Sequence, residues 1–130
     1  MPSLFRFAKI VLLVSLMATS IAFADDDPLD GYWGGDDVSL FTANAGADGN
    51  FYCSSGRILQ PIHLDDQDHF SVTGYIDFYE GGAHGATRVA AIFSGVVRKK
   101  QMQMRIELEN GVVWVFNLLR GDLGKVKKCR

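Results

Sequence analysis

"QMQMRIELENGVVWVFNLLR", residues 101–120, reads as two strands joined by a tight turn. Met102, Met104, Ile106 and Leu108 alternate with Gln101, Gln103, Arg105 and Glu107. That period of two belongs to an antiparallel strand with one buried and one wet face. Asn110-Gly111 then supplies the residues that best tolerate positive φ, a strong hairpin signal. The returning strand is apolar on both sides, with Val113 and Val115 on one and Trp114, Phe116 and Leu118 on the other. Such a strand needs a cover on its second face. The C-terminal tail is the expected cover, and a second subunit is the alternative.

Working outward, "HFSVTGYIDFY" (69–79) repeats the alternation, with Phe70, Val72, Gly74, Ile76 and Phe78 on one side. No long stretch holds a helical i, i+3, i+4, i+7 pattern; short alternating runs followed by turn clusters recur instead, as in β-sandwiches and barrels. The pattern predicts strands over Gly31–Gly34, Val38–Ala43, Phe51–Cys53, Arg57–Ile62, His69–Tyr79, Thr87–Arg98, Gln101–Leu108 and Val112–Arg120, with a short tail strand at Lys125–Cys129. "NAGADG", "SSG", "DDQD", "EGGAHGA", "KK" and "ENG" are the expected turns. The predicted fold is all-β: an antiparallel meander of about eight strands, closed or nearly closed into a small barrel. Gly74 and Gly95 either leave room inside it or mark bends in its strands.

The first 24 residues stand apart. Arg6 and Lys9 precede the apolar run Ile10–Ala18, and Ala22-Phe23-Ala24 gives the small-x-small pattern of a signal-peptidase site. The run is short for a bilayer span, which needs about 20 residues. A cleaved signal peptide over 1–24 and one exported domain over 25–130 are expected, in the bacterial periplasm or secreted, with no membrane anchor after cleavage. Cys53 and Cys129 are the only cysteines, and export permits a disulfide between them. Two buried free thiols are the alternative, while a metal pair lacks a CxxC partner.

Losing Arg6 and Lys9 takes the net charge from −2 to −4. Residues 25–80 carry 12 acids and one base, and residues 81–130 carry 10 bases and three acids. In a small domain whose halves interleave, this describes complementary faces. Without a recognition motif, and with a net negative charge, nucleic acid is excluded as a partner.

Gly31-Tyr32-Trp33 in the first strand resembles the Gly-x-Trp of the calycins (lipocalins, fatty-acid-binding proteins and avidins). That resemblance implies a Trp33 that plugs one end of the barrel, crossed by a basic residue from the last strand, for which Arg120 is placed. The longer pattern of G-x-W-G-G, Cys53-Ser54-Ser55-Gly56-Arg57-Ile58, Pro61-Ile62, Phe70–Gly74 and Glu80–Gly82, ending on Cys129, is similar to a group of small exported bacterial proteins of unknown function. It implies export, the bridge and one compact domain, and no activity.

In an up-and-down barrel, alternate loops share an end. The end opposite Trp33 and Arg120 should then hold "GGDD" (34–37), "SSG" (54–56), "EGGAHGA" (80–86) and "ENG" (109–111). The longest of these makes Glu80, Gly81, Gly82 and His84 the candidate ligand-binding residues, against the plainer reading of a solvated loop. Catalytic signals are thin: no G-x-S-x-G, no H-E-x-x-H and no phosphate loop occurs. Ser54, Ser55, His63 and His69 assemble into no triad. "DDQDH" (65–69) lacks the central Gly and terminal Glu of a calcium loop, and zinc would need Glu80, His84 and a third ligand such as His63. No cofactor is expected. The sequence points to an exported non-catalytic binding protein carrying a small apolar or amphipathic ligand past Glu80–Ala86. The alternative is a protein-binding module, for instance an inhibitor of an exported hydrolase.

Overall fold

A computed structural model describes residues 29–79 and 86–129. The expected leader and Glu80, Gly81, Gly82 and His84 lie outside the described residues. Eight antiparallel strands follow in order: β1 Gly31–Gly35, β2 Val38–Ala43, β3 Gly46–Phe51, β4 Ser54–Ile58, β5 His69–Tyr79, β6 Ala86–Arg98, β7 Gln101–Leu108 and β8 Val113–Arg120. Each pairs with the next, and β8 pairs with β1 to close the barrel. Cys53 and Cys129 are bridged.

The core is the inward face of this wall. β7 gives the cleanest case, its four apolar side chains buried and the four polar ones exposed. Four glycines also face inward, and aromatic rings fill the space that they leave. A Cβ at Gly56 would sit 3.1 Å from the Phe51 ring and 2.9 Å from Ile76 Cδ1. At Gly49 it would meet Phe51, at Gly74 Phe93, and at Gly95 Phe70. Gly74 and Gly95 therefore do both: side chains occupy the room they leave, and each lets a neighbouring strand's carbonyl, of Arg57 or Gln103, come close. Close packing of this kind leaves no slack for an added methyl group.

Trp33 is fully buried at the closed end, where its indole N–H donates to the carbonyl of Leu29 at 2.9 Å. Thr42 Oγ1 donates to the same carbonyl. The Arg120 guanidinium lies 4.8 Å from the Trp33 ring centroid and donates to the carbonyl of Asp30. Such a cation–π contact contributes about 0.5–2 kcal/mol.

Four expectations change. "GADGN" is strand rather than turn, and the first three hairpins turn on Asp36-Asp37, Asn44-Ala45 and Tyr52-Cys53. "SSG" opens β4, paired with Asn50 and Gly49 on one side and Asp77 and Ile76 on the other. Small residues there are set by ring packing inside the barrel, which overrides their preference for turns. The tail forms no strand beyond one parallel bridge, Lys125 to Asp36.

Nor does the tail cover β8. It leaves Arg120 at the closed end, crosses the outside of the β1–β2 hairpin, and reaches the β3–β4 turn through Cys129. Asp37 N donates to Lys125 O, Lys125 N donates to Gly35 O, and Lys127 pairs with Asp37 at 3.8 Å. Of the two glycines after Trp33, the first makes this crossing possible and the second lets β1 approach β8. A side chain at Gly34 would strike the tail backbone at Asp122 and Gly124, and one at Gly35 would strike the Asn117 carbonyl. Gly124 itself has φ +78° and lies against the Val38 carbonyl, so only glycine fits. Val113 and Val115 are left 40% and 57% exposed.

Candidate functional site

Strand length decides the shape of the end opposite Trp33. β1–β4 are five or six residues long, whereas β5–β8 run from eight to 13. The longer strands stand above the shorter hairpins as a half-wall, and their inner face there is aromatic. Trp114 and Phe116 come from β8 and Phe78 from β5, all partly buried against the core. Phe51, buried at the end of β3, forms the floor. Its ring centroid lies 5.6 Å from that of Trp114 and 5.3 Å from that of Phe116. Trp114 meets Phe78 edge-on at 5.7 Å and Phe116 at 6.2 Å. These are favourable tilted and edge-to-face geometries that hold the rings in place.

A recess of about 330 Å³ opens over these rings, lined by Asp37, Phe51, Tyr52, Trp114, Val115 and Phe116. Its rim is mixed. Val115 and Tyr52 are exposed apolar and aromatic groups, and Asp37 is tied to Lys127. Beyond Tyr52 the tail continues the rim with Lys127, Lys128 and Cys129. An aromatic base with few polar groups suits an apolar side chain or a small apolar molecule.

The other surface features are self-contained. On the outside of β3–β6, Arg57 pairs with Asp48 at 2.8 Å, and Arg88 grips Asp77 through bonds of 2.8 and 3.1 Å. Arg88 also lies 3.7 Å from the Tyr75 ring centroid. The Arg88 hydrogen bonds hold the Asp77 carboxyl below the usual carboxylate range. Ser55 and Tyr79 share a hydrogen bond of 2.6 Å. A furrow of about 550 Å³ beside Gly34, Gly35, Arg98, Gln103, Asn117 and Leu119 is open and mixed, with more apolar than polar lining.

No protein-family model, curated protein or solved structure matches the chain.

The sequence-level candidates fall in different places. Trp33 and Arg120 meet at the closed end, on the far side of the core from the aromatic recess. Ser54 is buried and donates to the Tyr52 carbonyl. Asp65 Oδ1 accepts the backbone N–H groups of Gln67 and His69, which orders the turn into β5 and holds its carboxyl below the usual range. Among the described residues no cluster of three His, Cys, Asp or Glu side chains forms a metal site. Sequence reasoning missed the recess itself. Its signal was present in Trp114 and Phe116, large aromatics on an inward face whose partners on β1 and β2 run out.

Proposed function

We propose that this chain is an exported, non-catalytic protein-binding barrel whose aromatic recess seats an apolar side chain of a partner. The observation that carries the reading is the contrast between inside and rim. The interior is filled by phenylalanine rings over Gly49, Gly56, Gly74 and Gly95. The rim joins the recess to exposed Val113, Val115 and Tyr52. Apolar surface that runs from a concave aromatic anchor onto the outside of a sheet is the anatomy of a protein interface. The disulfide suits an oxidising compartment and an exported chain. The same recess has the volume for a small apolar ligand, so the carrier reading survives at the rim rather than in the barrel.

A photo-crosslinking amino acid placed at Val115, with Asp48 as the control position, tests this in a bacterial periplasm. Protein-sized adducts from Val115 alone are expected. Absence of such adducts, together with a small mass that leaves on denaturation, would replace this reading with a ligand carrier.

A further inference from the structure

We infer that the free edge of β8 takes an extended, acidic-ended peptide segment of the partner as a ninth strand, with one apolar side chain in the aromatic recess; this rests on the protein-binding reading. The barrel closes through a short seam. β8 is paired with β7 from Val113 to Leu119, but with β1 only at Trp33–Arg120 and Gly34–Leu119. The hydrogen bonds Arg120 N to Lys100 O and Leu108 N to Val112 O show which β8 residues face β7. By the alternation of an antiparallel ladder, Val113 and Val115 turn their N–H and C=O groups the other way. There β1 has already ended in the Asp36-Asp37 turn. Soluble proteins guard such edges with charge, proline or a covering loop. Residues 111–119, "GVVWVFNLL", hold no charge and no proline.

The shape of the gap selects the occupant. Val115 has its side chain outside, yet it lines the recess with Trp114 and Phe116, so its backbone edge forms the wall. Asp37 and Tyr52 stand on the opposite side. The gap beside Val113 and Val115 is flanked by the Asp36-Asp37 and Tyr52-Cys53 turns, and a single extended chain has the backbone groups to fill it. A strand in the gap would bond to Val113 and Val115 and send alternate side chains inward over Phe51, Trp114 and Phe116. Farther along the same rim Lys127 is held by Asp37, and exposed Lys128 beside it offers positive charge, which favours an acidic end to the segment.

The probe is an N-acetylated peptide of alternating threonine and valine, with a central phenylalanine and two C-terminal glutamates, titrated into the isotopically labelled disulfide-bonded domain. Strand addition expects slowed amide exchange at Val113 and Val115 and a shift of the Trp114 indole N–H. Methylating the peptide nitrogens that face β8 should weaken binding about tenfold or more, the scale of lost hydrogen bonds. The edge variant Val115→Pro should do the same, since proline is tolerated on edge strands. A Trp114 shift that methylation leaves untouched would overturn strand addition while keeping the recess as a protein-binding site. Protection of Val113 and Val115 that grows with protein concentration and needs no peptide would replace the peptide with a second copy. No response at millimolar peptide would also overturn the inference.

Discussion

The two halves of the barrel are built on different principles. β1–β4 are short and rich in glycine, and they are held from outside by the tail and its bridge to Cys53. β5–β8 are long and regular in their alternation, and they stand on the packing of Phe70, Phe93, Met104 and Ile106. The short half gives up side-chain contact to let backbones and rings approach closely. The long half has strand to spare, and that surplus becomes the aromatic wall. A barrel of eight equal strands would have no recess and no free edge. The recess and the short β1–β8 seam follow from the mismatch.

The largest expected effect tests the strap. Bridging residues 76 apart in sequence stabilises by about 4.5 kcal/mol in the chain-entropy model. Cys129→Ser should therefore lower stability by several kcal/mol in denaturant titrations. Amide protection should fall first at Val38, Leu40 and Phe51 and last at Met104 and Ile106. A uniform loss across both halves would show one cooperative unit and end the comparison.

Trp33→Ala comes next. Removing a fully buried indole costs about 3–5 kcal/mol and leaves the Arg120 guanidinium without its ring. The thermal midpoint should fall by many degrees, while peptide binding at the opposite rim should survive in the fraction that stays folded. Loss of binding in that fraction would mean that the two ends communicate through the core.

How much of this was legible in the sequence depends on which half is read. In the long half, β5 and β7 match the period-two pattern to the residue, because alternating side chains carry the burial signal themselves. In the short half, Val38–Ala43 was readable and "GADGNF" was not. Gly46, Asp48, Gly49 and Asn50 speak for a turn, and pairing with β2 and β4, with the Phe51 ring over Gly49, makes them strand. The tail misled for a related reason. A cysteine at 129 says where the tail ends, not which face it crosses, and the crossing depends on glycines at 34 and 124 whose purpose is steric. The recess was legible as residues and hidden as geometry. Trp114 and Phe116 read as covered apolar positions, whereas the shortness of β1 and β2 leaves them open.

Gly74→Ala probes the packing of the long half. The added methyl group would strike the Arg57 carbonyl and come within 2.9 Å of the Phe93 ring. Overpacking of this kind costs about 1–3 kcal/mol. Shifts in labelled spectra should spread over Phe93 and Ile76 and spare the Cys53–Cys129 strap. Trp114→Ala should cost less stability than Trp33→Ala, because the ring is only partly buried, yet it should remove most binding at the rim. A variant that binds normally would move the anchor of the interface to the exposed valines of β8.

The smallest effect lies on the outside of the long half, in the Asp77–Arg88 pair. Asp77 titrates below an ordinary carboxylate because Arg88 hydrogen-bonds its charged form. A carboxyl whose folded pKa is depressed contributes stability above its unfolded value, near 3.9, and loses that contribution as pH falls through the folded pKa. Arg88→Gln should therefore lower the thermal midpoint slightly at neutral pH, and the gap to the parent should close as pH falls below the ordinary carboxylate range. The pair is exposed on the arginine side, so screening keeps the effect small, and added salt should shrink it further. Asp65 supplies the internal contrast. Its carboxyl is depressed chiefly by the backbone N–H groups of His69 and Gln67, with only a minor contribution from the His69 charge, so its share of the acid sensitivity should persist in the variant and mostly resist salt. A midpoint difference that stays constant into acid would assign the contribution of Arg88 to its stacking on Tyr75, at 3.7 Å, rather than to its charge partner. The long half would then be held on its outer face, as on its inner one, by aromatic contact.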